Sequence, residues 1–123
     1  MKISDVKGER SYTILKDVVP YINEFSKNEY FKAIFNVDDL PKDDKERRTA
    51  IASKIIDNLP DLISSCKDGL TGYFALLEGI TPEEYAAGVT AQKVFDGIID
   101  MFNDDHFKIF FTRFLKSSMT DKG

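Results

Sequence analysis

Apolar residues recur every three or four positions along almost the whole chain, while strict alternation of apolar and polar residues is nearly absent. This spacing gathers apolar side chains on one face of a helix and gives a strand no separate buried face. The 123 residues are enough for one domain with a core of its own. We therefore predict a single all-α domain over residues 1–123, a small helical bundle of about five to seven helices, some of them kinked at proline.

The sharpest helix boundary is predicted within residues 79–85. Gly79 suits the left-handed conformation that ends a helix. Thr81 can cap the next helix, with Pro82 in its first position and Glu84 placed to complete a capping box. One helix is therefore expected to stop here and another to start, and the run fixes the backbone without supplying any chemistry.

The first long helix is predicted from an apolar stripe with steps of three or four. Its members are Tyr12, Leu15, Val18 or Val19, Ile22 and Phe25. Pro20 lies inside the stripe and removes one backbone hydrogen bond, so we expect a kink there rather than a break. Ser4 or Asp5 can cap this helix or a preceding turn.

The middle of the chain leaves two alternatives open. Residues 30–35 are rich in aromatic side chains and fit either a short strand or a helical turn. Residues 36–42 are expected to form the main loop, and a long helix is expected to start at Asp43 or Asp44.

That long helix contains two features that interrupt it. Pro60 is either a kink or the start of a fresh helix, and Gly69 after Asp68 marks a turn or a weak point. A short helix over residues 70–77 is then expected to end at Gly79.

Three more helices are predicted in the last third of the chain. The first covers residues 82–87, Thr90 caps the second, and Asn103 or Asp104 caps the last. The polar tail, residues 117–123, is expected to be frayed.

The charge balance argues against a phosphate-binding surface. The chain has 17 basic and 21 acidic residues, a net charge of −4, and no uninterrupted basic block. Its single cysteine, Cys66, allows no intrachain disulfide and fits a reducing compartment. We predict no signal peptide and no membrane-spanning helix, because no apolar run approaches the ~18 residues that a span needs. The predicted location is the cytoplasm.

The acidic residues occur in doublets that invite a metal or acid–base interpretation. The doublets are Asp38-Asp39, Asp43-Asp44, Glu83-Glu84 and Asp104-Asp105. Three of them fall at predicted helix starts, where negative charge is stabilising, so we interpret them as capping and solvation. None has the spacing of a calcium loop or of a helix-borne zinc or di-iron site.

Nothing else in the sequence indicates catalysis. His106 is the only histidine, Cys66 has no evident partner, and no phosphate loop, zinc pattern, nucleophile elbow or dinucleotide fingerprint occurs. We therefore predict no catalytic residue, no metal and no cofactor, and no enzymatic activity.

The aromatic run near the C-terminus is the one candidate binding surface. It gives a wide apolar arc on the last helix, and it is either ordinary core or in part a docking face for another protein or a second copy. The predicted partner-binding residues are Phe107, Phe110, Phe111, Phe114 and Leu115, with a rim of Lys108, Arg113 and Lys116.

Four features in a fixed order resemble a known family. They are the opening MKISDVKGER at residues 1–10, Pro20 inside the first helix, LLEGITPEEY at residues 76–85, and the closing aromatic helix. The order is similar to that of the small tail assembly chaperones of long-tailed bacteriophages, which also occur in prophages of Gram-positive bacteria.

The resemblance implies a non-enzymatic, all-α protein made in the cytoplasm of a bacterial host. Such proteins bind the long tape measure protein, and often tail tube protein, during tail assembly, and they are absent from the mature virion. The physics agrees with this role, because an acidic helical protein with an aromatic groove can cover the apolar stripe of a helical partner.

The alternative is a small helical phage regulator that binds nucleic acid. It would need a helix-turn-helix with a basic recognition helix. The nearest candidate is a pair of helices at residues 82–87 and 91–102. The second helix of this pair carries Lys93 but also Asp96 and Asp100. This pair fits the requirement poorly.

Overall fold

The structure is a computed structural model that describes residues 2–35 and 41–120, with side chains described as far as Lys116. A 3-10 turn at Ile3–Asp5 precedes the α-helices. These are α1 (Arg10–Phe25), α2 (Glu29–Ile34), α3 (Asp44–Glu78), α4 (Pro82–Gly88), α5 (Ala91–Phe102) and α6 (Asp105–Thr120). Strands are absent from the part of the chain described, and the prediction of a small all-α bundle is confirmed.

Side chains cap α3, α5 and α6 at residues that the sequence predicts. Helix α1 instead begins after Glu9, whose side chain makes no cap, and Asp5 accepts from the backbone of Lys2 in the preceding turn at 2.8 Å. The Asp43 carboxylate accepts from the backbone N–H of Glu46 at 3.1 Å, and the Thr90 hydroxyl accepts from that of Lys93 at 3.2 Å. In the same way Asp104 Oδ1 accepts from the backbone of His106 at 3.1 Å at the start of α6. The acidic doublets at 43–44 and 104–105 therefore serve as helix caps, while the doublet at 38–39 lies outside the described residues.

The boundary between α3 and α4 has the predicted stop–start geometry. Gly79 is left-handed, with a φ of 75°, and the N–H of Ile80 donates to the carbonyl of Ala75 at 3.0 Å, which closes the end of α3. Thr81 and Glu84 exchange the two hydrogen bonds of a capping box, at 3.1 and 3.2 Å. These bonds satisfy the backbone at both helix ends.

The ambiguous stretch at residues 30–35 is helical as far as Ile34, and Phe35 forms the turn that ends α2. Asn28 caps α2 by accepting from the backbone of Tyr30 at 2.9 Å, which gives this short helix a start that no strand would need. Of the predicted loop, residues 36–40 lie outside the described residues, whereas Pro41 and Lys42 are non-helical. Helix α1 continues through Pro20 without a break.

The irregularity in α3 is at Cys66, not at Pro60 or Gly69. The backbone leaves helical dihedrals only at Cys66, with φ −142° and ψ 29°. The Cys66 thiol and the Ser65 hydroxyl both donate to the carbonyl of Leu62, at 2.8 and 3.2 Å. Side chains that bond back to the helix in this way bend it, and Pro60 lies within a continuous stretch of α3.

An aromatic core joins α1, α2, α3, α5 and α6. Its rings lie 4.3 to 6.4 Å apart between centroids and are Phe25, Phe31, Phe35, Tyr73, Phe102, Phe107 and Phe111. Such contacts add to the stabilisation from burial alone. This core fixes α6 against the rest of the bundle.

The 3-10 turn near the N-terminus meets the start of α6 at Asp104. The backbone N–H of Ile3 donates to Asp104 Oδ2 at 2.8 Å, and both residues are buried. The 3-10 turn is thereby held against the start of α6. At the other end α6 runs to Thr120, so residues 117–120 of the predicted tail continue a helix, and residues 121–123 lie outside the described residues.

Candidate docking surfaces

The predicted aromatic arc on α6 divides into a buried and a half-buried part. Phe107 and Phe111 are 0% and 1% exposed and belong to the aromatic core. Phe110, Phe114 and Leu115 are half-buried at its edge. Phe107 and Phe111 are therefore not available to a partner. Of the docking face predicted from the sequence, only Phe110, Phe114 and Leu115 remain accessible.

A more continuous apolar surface lies between α3, α4 and α5. We call it the α3–α5 groove; its volume is about 470 Å³. Its apolar lining comes from all three helices and is formed by Leu59, Ile63, Leu70, Phe74, Tyr85, Ala86, Val89, Ala91, Val94 and Phe95. A surface of this kind on a charged chain is typical of a binding site for another apolar surface.

The long wall of the groove is formed by α3 on both sides of its bend at Cys66. Leu59 and Ile63 precede the bend, and Lys67, Leu70 and Phe74 follow it, each set at a helical spacing of three or four residues. At 1.5 Å per residue the two segments together extend over about 20 Å, a length comparable to an amphipathic helix of roughly four turns. The shape of the groove therefore favours a helical occupant.

The opposite wall is formed by α4, by the residues that follow it and by the first turns of α5. Tyr85 is the only buried residue of α4, at 4% exposure, and it holds this helix against Phe74, with ring centroids 5.9 Å apart. Val94 and Phe95 of α5 are half-buried, whereas Ala86 is exposed. The groove thus offers apolar atoms that the fold itself leaves partly uncovered.

Charge is scarce in the groove and is paired beside it. Among the described residues that line the groove, Lys67 is the only ionisable side chain apart from Tyr85. On the other side of Tyr85, Lys93 Nζ lies 2.8 Å from a carboxylate oxygen of Glu78 and 5.3 Å from the centre of the Tyr85 ring. Burial, and then the Glu78 carboxylate, raise the pKa of Tyr85 to about 12, so its hydroxyl is neutral at physiological pH.

The side chains that could carry chemistry do not combine into a site within the described residues. Burial raises the pKa of the Cys66 thiol to about 11, against the reactivity of a nucleophile. Tyr73 is buried, its hydroxyl has no hydrogen-bond partner among the described residues, and burial raises its pKa above the usual range. His106 is exposed at the start of α6. In the described part of the chain no three His, Cys, Asp or Glu side chains come together as a metal site.

The sequence predicted the α6 arc but not the groove. The apolar positions of α3 were visible as one stripe, yet a stripe does not reveal which of its residues the neighbouring helices cover. The available signal was the set of small or apolar residues around the Thr90 cap, from Ala86 to Phe95. None of these residues is among the side chains that α4 and α5 bury in the core.

Comparisons with protein-family models, with curated proteins and with solved structures find no match to this chain. Within residues 2–35 and 41–120, no helix is both long and apolar enough to cross a membrane.

Proposed function

We propose that this chain is a non-enzymatic phage tail assembly chaperone that binds a helical segment of the tape measure protein during tail morphogenesis. The observation that carries the proposal is the α3–α5 groove, with its apolar lining from three helices and a single charged residue. The resemblance at residues 1–10 and 76–85 names the class of partner.

The groove is suited to a helix that buries an apolar stripe. Helix-in-groove recognition uses a few large side chains spaced three or four residues apart, and the α3 wall from Leu59 to Phe74 has the matching length. A tape measure segment with such a stripe would be prone to self-association before the tail tube surrounds it. Covering the stripe removes the surface through which it would aggregate.

The charge of the chain supports the same role. A net charge of −4 keeps a complex soluble after its apolar groove has been occupied. Tail tube protein is a second partner that the resemblance suggests. The same resemblance places the protein in the cytoplasm of the bacterial host and outside the mature virion.

The nucleic-acid-binding alternative receives less support from the bundle. Its candidate recognition helix is α5, whose one cation is Lys93. That ammonium is engaged with Glu78 and with the Tyr85 ring. Val94 and Phe95 on the same helix line the groove instead of presenting polar groups.

The test of the function is co-expression with a tape measure protein from the phage or prophage that carries this gene. We expect the tape measure protein to be insoluble alone and to be recovered in the soluble fraction, bound to this protein, when the two are made together. A helical protein of similar size and charge serves as the control. If the tape measure protein stays insoluble, or is soluble without binding, the proposed function is wrong.

A further inference from the structure

A second concave surface lies between α2, α3 and α6, away from the α3–α5 groove. We call it the α6 slot; its volume is about 380 Å³. Its floor is apolar and is formed by Ile34, Phe35, Ile51, Phe102 and Leu115. Leu115 belongs to the half-buried part of the aromatic arc, so the slot continues the docking face predicted from the sequence.

Among the described residues that line the slot, two are cations. Arg47 comes from the first turns of α3, and its Nε donates to the carbonyl of Pro41 at 3.3 Å, which restrains the guanidinium. Lys108 comes from α6, one turn after the Asp104 cap. The two side chains bring positive charge to an apolar cavity.

The positive charge continues along α6. Lys108 also borders a shallow depression with Ile109, Arg113 and Lys116. No carboxylate occurs between His106 and Lys116, and Ile109 is 66% exposed. The side of α6 next to the slot therefore combines apolar and basic groups on a chain whose net charge is −4.

We infer that the α6 slot binds an acidic amphipathic helix of a partner protein. An apolar side chain of that helix occupies the slot, and its flanking carboxylates meet Arg47 and Lys108. Apolar contact supplies the anchor, while charge complementarity selects acidic partners and repels basic ones. This surface is separate from the α3–α5 groove, and the inference does not depend on the proposed function.

A polyanion such as duplex DNA fits the same charges less well. Among the described residues, the polar cleft beside the slot is lined by four cations, Lys2, Arg47, Arg48 and Lys108, and by three carboxylates, those of Asp44, Asp100 and Asp105. The carboxylates interrupt the positive charge that a continuous phosphate backbone needs, and phosphates make no use of an apolar floor. A peptide whose apolar side chains occupy the slot meets Arg47 and Lys108 at the edge that the slot shares with the cleft.

The test uses a labelled synthetic peptide of about 18 residues with leucines at helical spacing and glutamates on the flanks. The fluorescence anisotropy of the peptide is measured as purified protein is added. We expect binding that weakens between about 50 and about 300 mM salt, because the contacts at the rim are screened. The same peptide with lysines in place of the glutamates is expected not to bind.

Matched variants assign the binding to the slot. Lys108→Glu and Arg47→Glu should each weaken binding of the acidic peptide by about tenfold or more. Lys45→Glu makes the same charge change in the first turn of α3 outside the slot and should have a much smaller effect. Ala86→Glu, in the α3–α5 groove, should have none, which separates this inference from the proposed function.

Three results would overturn the inference. The first is equal binding of the acidic and the basic peptide, and the second is an equal loss of affinity in Lys108→Glu and Lys45→Glu. The third is tighter binding of a duplex of about 20 base pairs than of the peptide under the same salt, which would indicate a nucleic-acid surface.

Discussion

Arg10 Nη2 donates to the carbonyl oxygen of Leu77 at 2.8 Å, so the first residue of α1 closes the last turn of α3. The same guanidinium occupies the space above Gly79, where an added Cβ would lie 2.9 Å from Nη2. Gly79 is thus required by its positive φ, and an added Cβ would in addition displace the end of the Arg10 side chain. The end of α3 is held by a contact between residues far apart in the sequence.

Gly79→Ala is expected to lower the free energy of unfolding by about 1–2 kcal/mol, because alanine disfavours a left-handed backbone and its Cβ displaces Arg10. Gly88→Ala is the matched control, since its Cβ would meet nothing within 4 Å and its φ is not positive. Urea denaturation of both variants measures the difference. Equal stabilities would contradict the capping role of Gly79.

Thr81→Ala removes the hydroxyl that accepts from the backbone of Glu84 at 3.1 Å. Loss of such a cap typically costs about 0.5–2 kcal/mol, and we expect a change in that range by chemical denaturation. Thr13→Ala, on the exposed face of α1, serves as the control and should stay close to wild type. An unchanged midpoint for Thr81→Ala would mean that the capping box contributes nothing.

The phenylalanines of α6 should separate by their burial. Phe107→Ala and Phe111→Ala are expected to cost about 3–5 kcal/mol each, because both rings are enclosed in the aromatic core. Phe110→Ala and Phe114→Ala should cost clearly less, since these rings are half-buried. Thermal and urea unfolding test this order, and four similar losses would contradict the division of the arc.

The local features of this fold could be predicted from the sequence, and the non-local ones could not. The caps Asp43, Thr81, Thr90 and Asp104 each act on a backbone group two or three residues away, so short motifs were sufficient to place them. Helical periodicity was sufficient for the class of fold.

The bend in α3 was placed wrongly because its cause is not a helix breaker. The prediction placed the irregularity at Pro60 or Gly69, because proline and glycine are the usual helix breakers. The backbone instead leaves helical dihedrals at Cys66, where the side chains of Ser65 and Cys66 both donate to the carbonyl of Leu62. Asn28, from the start of α2, also donates to the Ser65 hydroxyl at 2.9 Å. A contact across 37 residues leaves no local trace in the sequence.

The candidate site was predicted only in part for a similar reason. The run of phenylalanines on α6 predicts a wide apolar arc. Which of these phenylalanines are buried depends on the aromatic residues that α5 and the end of α2 pack against them. Phe35 lies 4.3 Å from Phe111 between centroids and 4.5 Å from Phe102, so these two rings are used within the core. The α3–α5 groove appears only after three helices have packed.

Cys66 should make stability depend on pH in the alkaline range. Burial raises the pKa of its thiol from the ordinary 9.0 to about 11. Because the raised pKa belongs to the folded state, the stabilisation is complete below the ordinary pKa and is lost as the pH rises through the folded value. We expect the stability advantage of wild type over Cys66→Ala to shrink between about pH 8 and about pH 10.5.

Urea denaturation of both proteins across that range gives the comparison. A constant difference between them would mean that the thiol has the same pKa in the folded and unfolded states. A difference that grows with pH would contradict the sign of the shift.

The central claim is that the α3–α5 groove binds the tape measure protein. Ala86 and Ala87 are adjacent, exposed residues of α4, but only Ala86 lines the groove. Ala86→Glu places a carboxylate against the apolar occupant, whereas Ala87→Glu makes the same change in charge and helix propensity outside the groove. The pair therefore controls for both fold and net charge.

The deciding measurement is the affinity of purified wild type, Ala86→Glu and Ala87→Glu for the tape measure protein, by titration calorimetry after co-purification has identified the bound segment. We predict that Ala86→Glu loses about tenfold or more in affinity, because burying an unpaired carboxylate is costly. Ala87→Glu should bind as wild type does, and all three proteins should unfold at similar urea concentrations. Equal affinity of the two variants would contradict the account.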